Sequence, residues 1–345
     1  MGIAPAHKLS ITGGLIGELF GQIDALPSAN LSPDRNPAEV TFELQIDPIR
    51  HHYLNDHAIS GKLVLPATCA LELLCETASG LYPGYRVILV DQFQILGGIT
   101  FEGKAKDFRL VLKQTSDEND MVAITATLFS QEMRHKIHFR ANITLLRAPD
   151  RAGVAKLDVN VGINSAATAR SPFGTITGTT ENRSDLLTLV GKSLRIAEPT
   201  SIPDLQEVYS DWLFHGPLFH GITKITNFGR EGIEGNVIGT DPVFVLSPPN
   251  SYEWTFDPIL LDSAMQLAAV WVKKYMNMQT LPTGFRSMFF ASKLDLRKVT
   301  AQVYFADDVV PSDLICDLVI RDQEGMVVAA IKGLTGVAVR ELTGN

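Results

Sequence analysis

Leu65-Pro66-Ala67-Thr68-Cys69-Ala70-Leu71-Glu72-Leu73-Leu74-Cys75-Glu76-Thr77-Ala78-Ser79-Gly80-Leu81 is the stretch on which the fold turns. Ala70, Leu71, Leu74 and Ala78 recur at three- and four-residue spacing, which gathers them on one helix face, and Pro66 suits a first turn, where a missing N–H costs nothing. The flanking runs obey a different period. Val40, Phe42, Leu44 and Ile46 alternate with Thr41, Glu43 and Gln45, as in a strand with one buried face. Beyond the helix, runs rich in β-formers occupy 86–95, 108–113, 122–129 and 135–145, separated by turn residues. One apolar helix among antiparallel strands predicts an α+β unit whose sheet wraps the helix.

The same order recurs. A polar and aromatic loop at 212–221 precedes strand-like runs at 221–227 and 232–238, a helix from Pro258 to about Tyr275, and strands near 285–292, 301–305, 314–321 and 326–339. Residue identity between the halves is faint, so the duplication is one of order and spacing. Gly153, Gly162, Asn164, Pro172, Gly174 and Gly178 give the intervening stretch the composition of a linker, with one short helix at 185–190. The expected organisation is a leader over 1–37, a first unit over 38–147, a linker over 148–203 and a second unit over 204–345.

Composition narrows the function classes. With 345 residues, 45% of them hydrophobic and 20% charged, the chain is an ordinary globular protein of about two domains. Its formal charge of −8 argues against a nucleic-acid partner. Cys69, Cys75 and Cys316 are too few and too oddly spaced for a disulfide framework or a zinc cage, which points to a reducing compartment. Met1 to Leu19 lacks the layout of a signal peptide, and Asp262 and Gln266 interrupt the apolar stretch 259–272, so a cytoplasmic protein without a membrane span is expected.

Three segments carry residues suited to chemistry. In His57-Ala-Ile-Ser-Gly61-Lys-Leu-Val64-Leu65-Pro66 a histidine able to act as a base precedes a glycine and then a proline that opens a helix, whose free amides can polarise a carbonyl. In Asp257-Pro258-Ile-Leu-Leu-Asp262-Ser-Ala-Met-Gln266 the first aspartate reads as a helix cap, while Asp262 and Gln266 share a face otherwise apolar. Burial there is expected to raise the pKa of Asp262 and keep it protonated, with Gln266 holding its other oxygen. The third is Phe214-His215-Gly216-Pro217-Leu218-Phe219-His220-Gly221, which by itself reads equally as a tight turn.

Taken together, these segments resemble the dehydratase domains of polyketide synthases. The family's signatures are a His-xxx-Gly-xxxx-Pro loop, a Tyr-Gly-Pro-x-Phe-x-Gly loop and an Asp-xxx-Gln/His helix, and Leu281-Pro282-Thr283-Gly284-Phe285 is similar to its later Leu-Pro-x-x-Phe segment. The resemblance spans roughly residues 38 to 340 and implies a double hotdog, two antiparallel sheets each wrapping a central helix. Ala67 stands where the family usually has glycine, His215 where it has tyrosine, His220 where glutamine is common, and Asp257 where histidine is frequent.

The resemblance also implies an activity: loss of water from a 3-hydroxyacyl thioester to give a 2-enoyl thioester, in polyketide or fatty-acid-like biosynthesis. The substrate would ride on the phosphopantetheine arm of an acyl carrier protein, with no metal and no other cofactor. His57 would remove the α-proton and un-ionised Asp262 would protonate the departing hydroxyl. Gly61, Val64, Leu65 and Pro66 would build the oxyanion site, with an amide of Val64 or Leu65 as donor, and His215, Gly216 and Pro217 would border the acyl channel. Lys104, Lys106, Arg134, Lys136 and Arg140 are candidates for docking the acidic carrier, other synthase domains are further partners, and hotdog units of this kind pair into homodimers.

Three alternatives use the same residues. A cyclase, pyran synthase or double-bond isomerase would keep the pair of groups and change the channel, and would be inert on a simple 3-hydroxyacyl thioester if it needs a distant nucleophile. A hydrolase or metal protein would rest on His51, His52, Asp56 and His57 and would hold metal when purified. A non-catalytic carrier-binding module would be indifferent to His57→Ala.

Overall fold

The period-two pattern at 39–46 becomes strand β3 (Glu39–Ile46), which buries Val40, Phe42, Leu44 and Ile46 and turns Glu39, Glu43 and Gln45 outward. The computed structural model describes residues 7–13, 15, 17–23, 39–118, 120–133, 135–148, 188–241, 245–246, 254–291, 298–306 and 309–340, and every structural statement below concerns these. Ahead of β3 lie β1 (His7–Gly13) and β2 (Gly17–Ile23). After it come β4 (Ala58–Ile59), β5 (Lys62–Val64), helix α1 (Ala67–Leu81), β6 (Tyr85–Ile95), β7 (Thr100–Phe101), β8 (Lys106–Glu118), β9 (Met121–Ser130) and β10 (Ile137–Arg147).

The second half repeats this plan with β11 (Ile222–Gly229), β12 (Gly232–Val237), helix α2 (Pro258–Met276), β13 (Gln279–Phe290), β14 (Val299–Phe305), β15 (Leu314–Arg321) and β16 (Val327–Val339). Both helices are buried almost all round, Cys69 to Cys75 in α1 and Ile259 to Ala264 in α2, because each is enclosed by its own strands and by the other helix. Thirteen strands form a single antiparallel sheet in the order β1-β2-β3-β8-β9-β10-β6-β13-β16-β15-β14-β12-β11, and β4, β5 and β7 form a small second sheet.

The halves meet edge to edge. β6 pairs with β13 with Phe93 opposite Phe285, so the two wrapped units share one continuous sheet rather than remaining two separate ones. Backbone pairing at this seam satisfies a row of N–H and C=O groups that two free edges would leave open. Gly284 makes the seam: its φ is +151°, and a side chain there would collide with the Phe93 carbonyl.

Residues read as a leader contribute two strands. β1 and β2 form a hairpin, and β2 lies along β3 with Phe20 opposite Glu43, extending the sheet past an edge that would otherwise be bare. Between them Leu15 enters the core at 3% exposure, its N–H donating to Glu76 Oε2 (3.0 Å) and its carbonyl meeting Nε2 of His51 (2.7 Å). Of the stretch read as a linker, 149–187 lies outside the described residues, including the first half of the expected helix at 185–190, of which 188–190 is helical. The chain from 188 to 192 is tied down: Leu189 packs on Val319 and Ala330, and Arg321 donates to the carbonyls of Val190 (3.1 Å) and Lys192 (3.0 Å).

Candidate active site

A short 3₁₀ turn, His52–Asp56, delivers His57 to the mouth of the β4–β5 hairpin. The hairpin can close on two residues because Ser60 and Gly61 both adopt positive φ, +50° and +77°, the turn geometry that matches the twist of two paired strands. Closure sets Val64 beside His57. The Nδ1–H of His57 donates to the Val64 carbonyl (2.9 Å), which fixes the tautomer and leaves Nε2 with its lone pair.

From the other half, Asp257 starts α2 as a cap, its Oδ1 accepting from Ile259 N–H (2.9 Å) and Leu260 N–H (3.0 Å) and its Oδ2 from Thr240 N–H (2.9 Å). Asp262 then lies one turn and a half along the helix. Gln266, the next turn on, donates from Nε2 to Asp262 Oδ1 (2.9 Å) and to the Phe219 carbonyl (3.1 Å), so it orients the carboxylate and anchors the aromatic loop together.

That loop brings the third group. Asp56 clamps it, accepting Gly216 N–H on its backbone oxygen (2.7 Å) and Leu218 N–H on Oδ2 (3.0 Å), and a side chain at Gly216 would run into Asp56. Pro217 opens a short 3₁₀ turn, Pro217–Phe219, and Nε2–H of His220 donates to the His215 carbonyl (2.9 Å) while its ring stacks on Tyr209 at 4.0 Å. His215 is thereby held with Nε2 3.2 Å from Asp262 Oδ1. One donor atom from each of His57, His215 and Asp262 lies within 4.8 Å of the others.

Burial and charge then set the proton affinities. His57 is 7% exposed, and desolvation, helped by His215, drives its pKa down to about 4 against the opposing pull of Asp262, so it stands as a neutral base. Asp262 departs from expectation. Burial does push its carboxyl upward, but His215 beside it and the Gln266 hydrogen bond outweigh that push and hold it below the usual carboxylate range. A buried carboxylate that accepts two hydrogen bonds on one oxygen is stabilised in its charged form. Its other oxygen accepts a long hydrogen bond from Thr68 Oγ1, at 3.5 Å.

The trio lines a cavity of about 250 Å³ whose walls are mostly apolar, with Ile59, Val64, Leu65, Phe139, Met265 and Ala269 among the other lining residues. Several expected roles change, and Gly216 and Pro217, expected to border the channel, lie outside its lining. Gly61 lies outside the lining and serves the hairpin turn instead. The N–H groups of Val64 and Leu65 are already used, donating to the carbonyls of His57 (2.9 Å) and Ile99 (2.9 Å), because β5 is a paired strand. Donors for an oxyanion lie just beyond them at the start of α1: Pro66 occupies the N-cap, no side chain caps the first turn, and Ala67 lines the cavity.

Two positioning residues escaped the sequence reading. Asp56 is one, and Glu72 is the other: buried within α1, it accepts Thr255 N–H (2.6 Å) and Phe256 N–H (3.2 Å), tying the entry of α2 to the first half. A glutamate set in an apolar helix stretch was the available signal. The cluster His51, His52, Asp56 and His57 does not form: His51 is buried against Leu15 and Asp47, and His52 faces solvent. Among the described residues the donor types for a metal coincide instead in His57, His215 and Asp262, where the His215 nitrogen is already engaged with the carboxylate.

Comparison with known proteins agrees with this architecture. The polyketide synthase dehydratase domain model matches residues 28–127, and the model described as the polyketide synthase dehydratase N-terminal domain matches 193–344. The chain belongs to the polyketide synthase dehydratase family, and its fold is the double hotdog. The dehydratase domain from the CurF module of curacin polyketide synthase superposes with a TM-score of 0.59 at 17% identity, covering 95% of this chain and 100% of that one. The corresponding CurJ domain gives 0.58 at 16% identity, over 94% and 96%. A polyunsaturated fatty acid synthase polypeptide of Thraustochytrium sp. (strain ATCC 26185 / S-3) is 24% identical over 250 residues, 72% of this chain but 8% of that much longer protein. No helix among the described residues is long and apolar enough to cross a membrane.

Proposed function

We propose that this domain dehydrates 3-hydroxyacyl thioesters carried on the phosphopantetheine arm of an acyl carrier protein, giving 2-enoyl thioesters for polyketide or fatty-acid-like synthesis. The observation that carries this reading is the meeting of a neutral imidazole, His57, and a hydrogen-bonded carboxylate, Asp262, from different halves of the chain in the lining of one apolar cavity. An α-proton beside a thioester is weakly acidic, so its removal needs a positioned base and a stabilised oxyanion. Nε2 of His57 supplies the base, and the open amides of the α1 N-terminus supply donors and a favourable dipole. Asp262 and its partners form the acid side, which must protonate the departing hydroxyl.

The cavity walls suit an aliphatic acyl group, and exposed Lys104 and Lys136 beside half-buried Lys106 and Arg140 offer a basic face to an acidic carrier; Arg134 lies outside the described residues. The test is mass spectrometry of 3-hydroxyacyl carrier proteins incubated with wild-type, His57→Ala and Asp262→Asn protein. Loss of eighteen mass units with wild type alone supports the reading. Loss that survives both substitutions sinks it.

A further inference from the structure

We propose that the substrate arm enters the cavity past Gly98 and that the carrier protein docks on the rim around it, seating an apolar and acidic surface on Leu96, Met133 and Lys136. This rests on the dehydratase reading above and locates its partner on the surface. Of the described residues that line the cavity, Gly98 alone is exposed to solvent, and a side chain built there would meet nothing within 4 Å. The wall is open at that point, whereas His57 and Asp262 lie in its buried part.

The opening falls beside the carbonyl end of the site. β5 pairs with β7 with Leu63 opposite Phe101 and Val64 opposite Thr100, and the Leu65 N–H donates to the Ile99 carbonyl (2.9 Å). That register carries Gly98 to the level of Pro66, the N-cap of α1, whose first-turn amides are the donors open to a thioester oxygen. A thioester extends in two directions from its carbonyl. The acyl chain passes Asp262 and follows α2, and the sulfur leads back to the carrier, on the side where Gly98 leaves a gap.

The rim has the character of a contact surface. Leu96 and Met133 stand out in solvent at 52% and 54% exposure. The N–H groups of Leu96 (2.9 Å) and Gly97 (3.2 Å) share the His138 carbonyl, the Met133 carbonyl accepts the Lys136 N–H (2.8 Å), and the stem of Lys136 crosses Gly97, 3.6 Å from where a Cβ would stand. In a chain of formal charge −8, the loops at this rim keep one positive charge in excess, with Lys104, Lys106 and Lys136 against Glu102 and Glu132. Exposed apolar side chains flanking a lysine complement a partner that is acidic around an apolar centre. Lys113, on the same sheet, lies about 23 Å along β8 from Lys106 and so outside this rim.

One 3-hydroxyacyl group presented on a carrier protein and on free pantetheine tests the proposal, because free pantetheine uses the opening without the rim. Full-length wild type, Met133→Glu, Lys136→Glu, Gly98→Trp and Lys113→Glu would be compared, each checked by thermal melting. Met133→Glu and Lys136→Glu should raise KM for the carrier-borne substrate at least tenfold and for the pantetheine thioester less than twofold. Gly98→Trp should lower kcat/KM at least tenfold on both, and Lys113→Glu should change neither. Turnover by Gly98→Trp within twofold of wild type would place the entrance elsewhere and overturn the proposal, as would a carrier KM that ignores both rim variants or responds equally to Lys113→Glu. Rim variants that change the oligomeric state in light scattering while the carrier KM holds would make the surface a contact between copies and overturn it too. If Gly98→Trp fails to fold, Gly98→Leu decides by the same comparison. A wild type inert on both substrates sinks the dehydratase reading, and the rim is then judged by fluorescence anisotropy of labelled 3-hydroxyacyl carrier protein: binding lost in Met133→Glu supports it, and equal binding overturns it.

Discussion

His57 and Val64 are bonded to each other twice: the imidazole Nδ1–H donates to the Val64 carbonyl and the Val64 N–H donates to the His57 carbonyl, both at 2.9 Å. The imidazole is thus built into a two-residue hairpin rather than hung from a loose loop, and its orientation is decided by backbone. Gly61 holds the turn at φ +77° with open space around it. Gly61→Ala is therefore expected to cost about 1 kcal/mol through backbone conformation alone. It should lower kcat by loosening His57, measured as chemical denaturation beside turnover. Unchanged kcat would mean that the hairpin does not position the base.

Removing the imidazole should have a separate signature in stability. The folded-state pKa of about 4 lies below the ordinary 6.5, so the unfolded chain takes up the proton first. Its contribution is intact above pH 6.5 and is lost progressively as the pH falls toward 4, by about 3 kcal/mol in all. His57→Phe should flatten that part of the stability profile in urea titrations at pH 4.5 and 7.

Glu76 should behave in the opposite sense. Burial lifts its pKa from 4.5 to about 8, so the stability associated with the protonated form is full below pH 4.5 and is lost as the pH rises toward 8. Glu76→Gln keeps an oxygen for the Leu15 amide and removes the titration, and should stabilise the protein at pH 8 by about 2–4 kcal/mol while leaving pH 4 unchanged. A variant equally unstable at both values would contradict this.

Glu72 carries two amides of the segment leading into α2. Glu72→Ala leaves the buried Phe256 N–H and the half-buried Thr255 N–H unpaired and should cost about 2–4 kcal/mol. Because the Asp257 cap and Asp262 come directly after that segment, kcat should fall further than the melting temperature alone accounts for, read at a temperature where the variant is fully folded.

The cavity runs along one stripe of α2, from Asp262 past Met265 and Ala269 to Val272. Ten residues of helix span about 15 Å, so Ala269 sits about 10 Å along from the carboxylate. Ala269→Leu should spare short acyl thioesters and depress long ones at least tenfold in kcat/KM. Equal effects on all lengths would mean that the acyl chain takes another path.

How much of this was legible in advance differs by element. The alternation at 39–46 and the helical spacing at 65–81 and 258–275 predicted β3, α1 and α2, because a sheet face and a helix face impose periods that survive in any context. His57 and Asp262 stood out as polar groups beside apolar runs, and Asp257 as a cap, since capping is a local transaction. The hairpin over 7–23 gave no such signal, its strands being defined by the bare edge of β3 they cover.

What the linear chain determined on its own was therefore what near neighbours govern: element type, helix starts, and the residue types brought to the site. Tertiary structure decided the rest. Two sheets became one because β6 and β13 paired, the Val64 and Leu65 amides were withdrawn from the site because each found a backbone partner, and the Asp262 carboxyl is held below its usual range because a histidine forty-seven positions earlier came within 3.2 Å. Proton affinity and hydrogen-bond vacancy depend on what surrounds a group in space, and no local pattern records that.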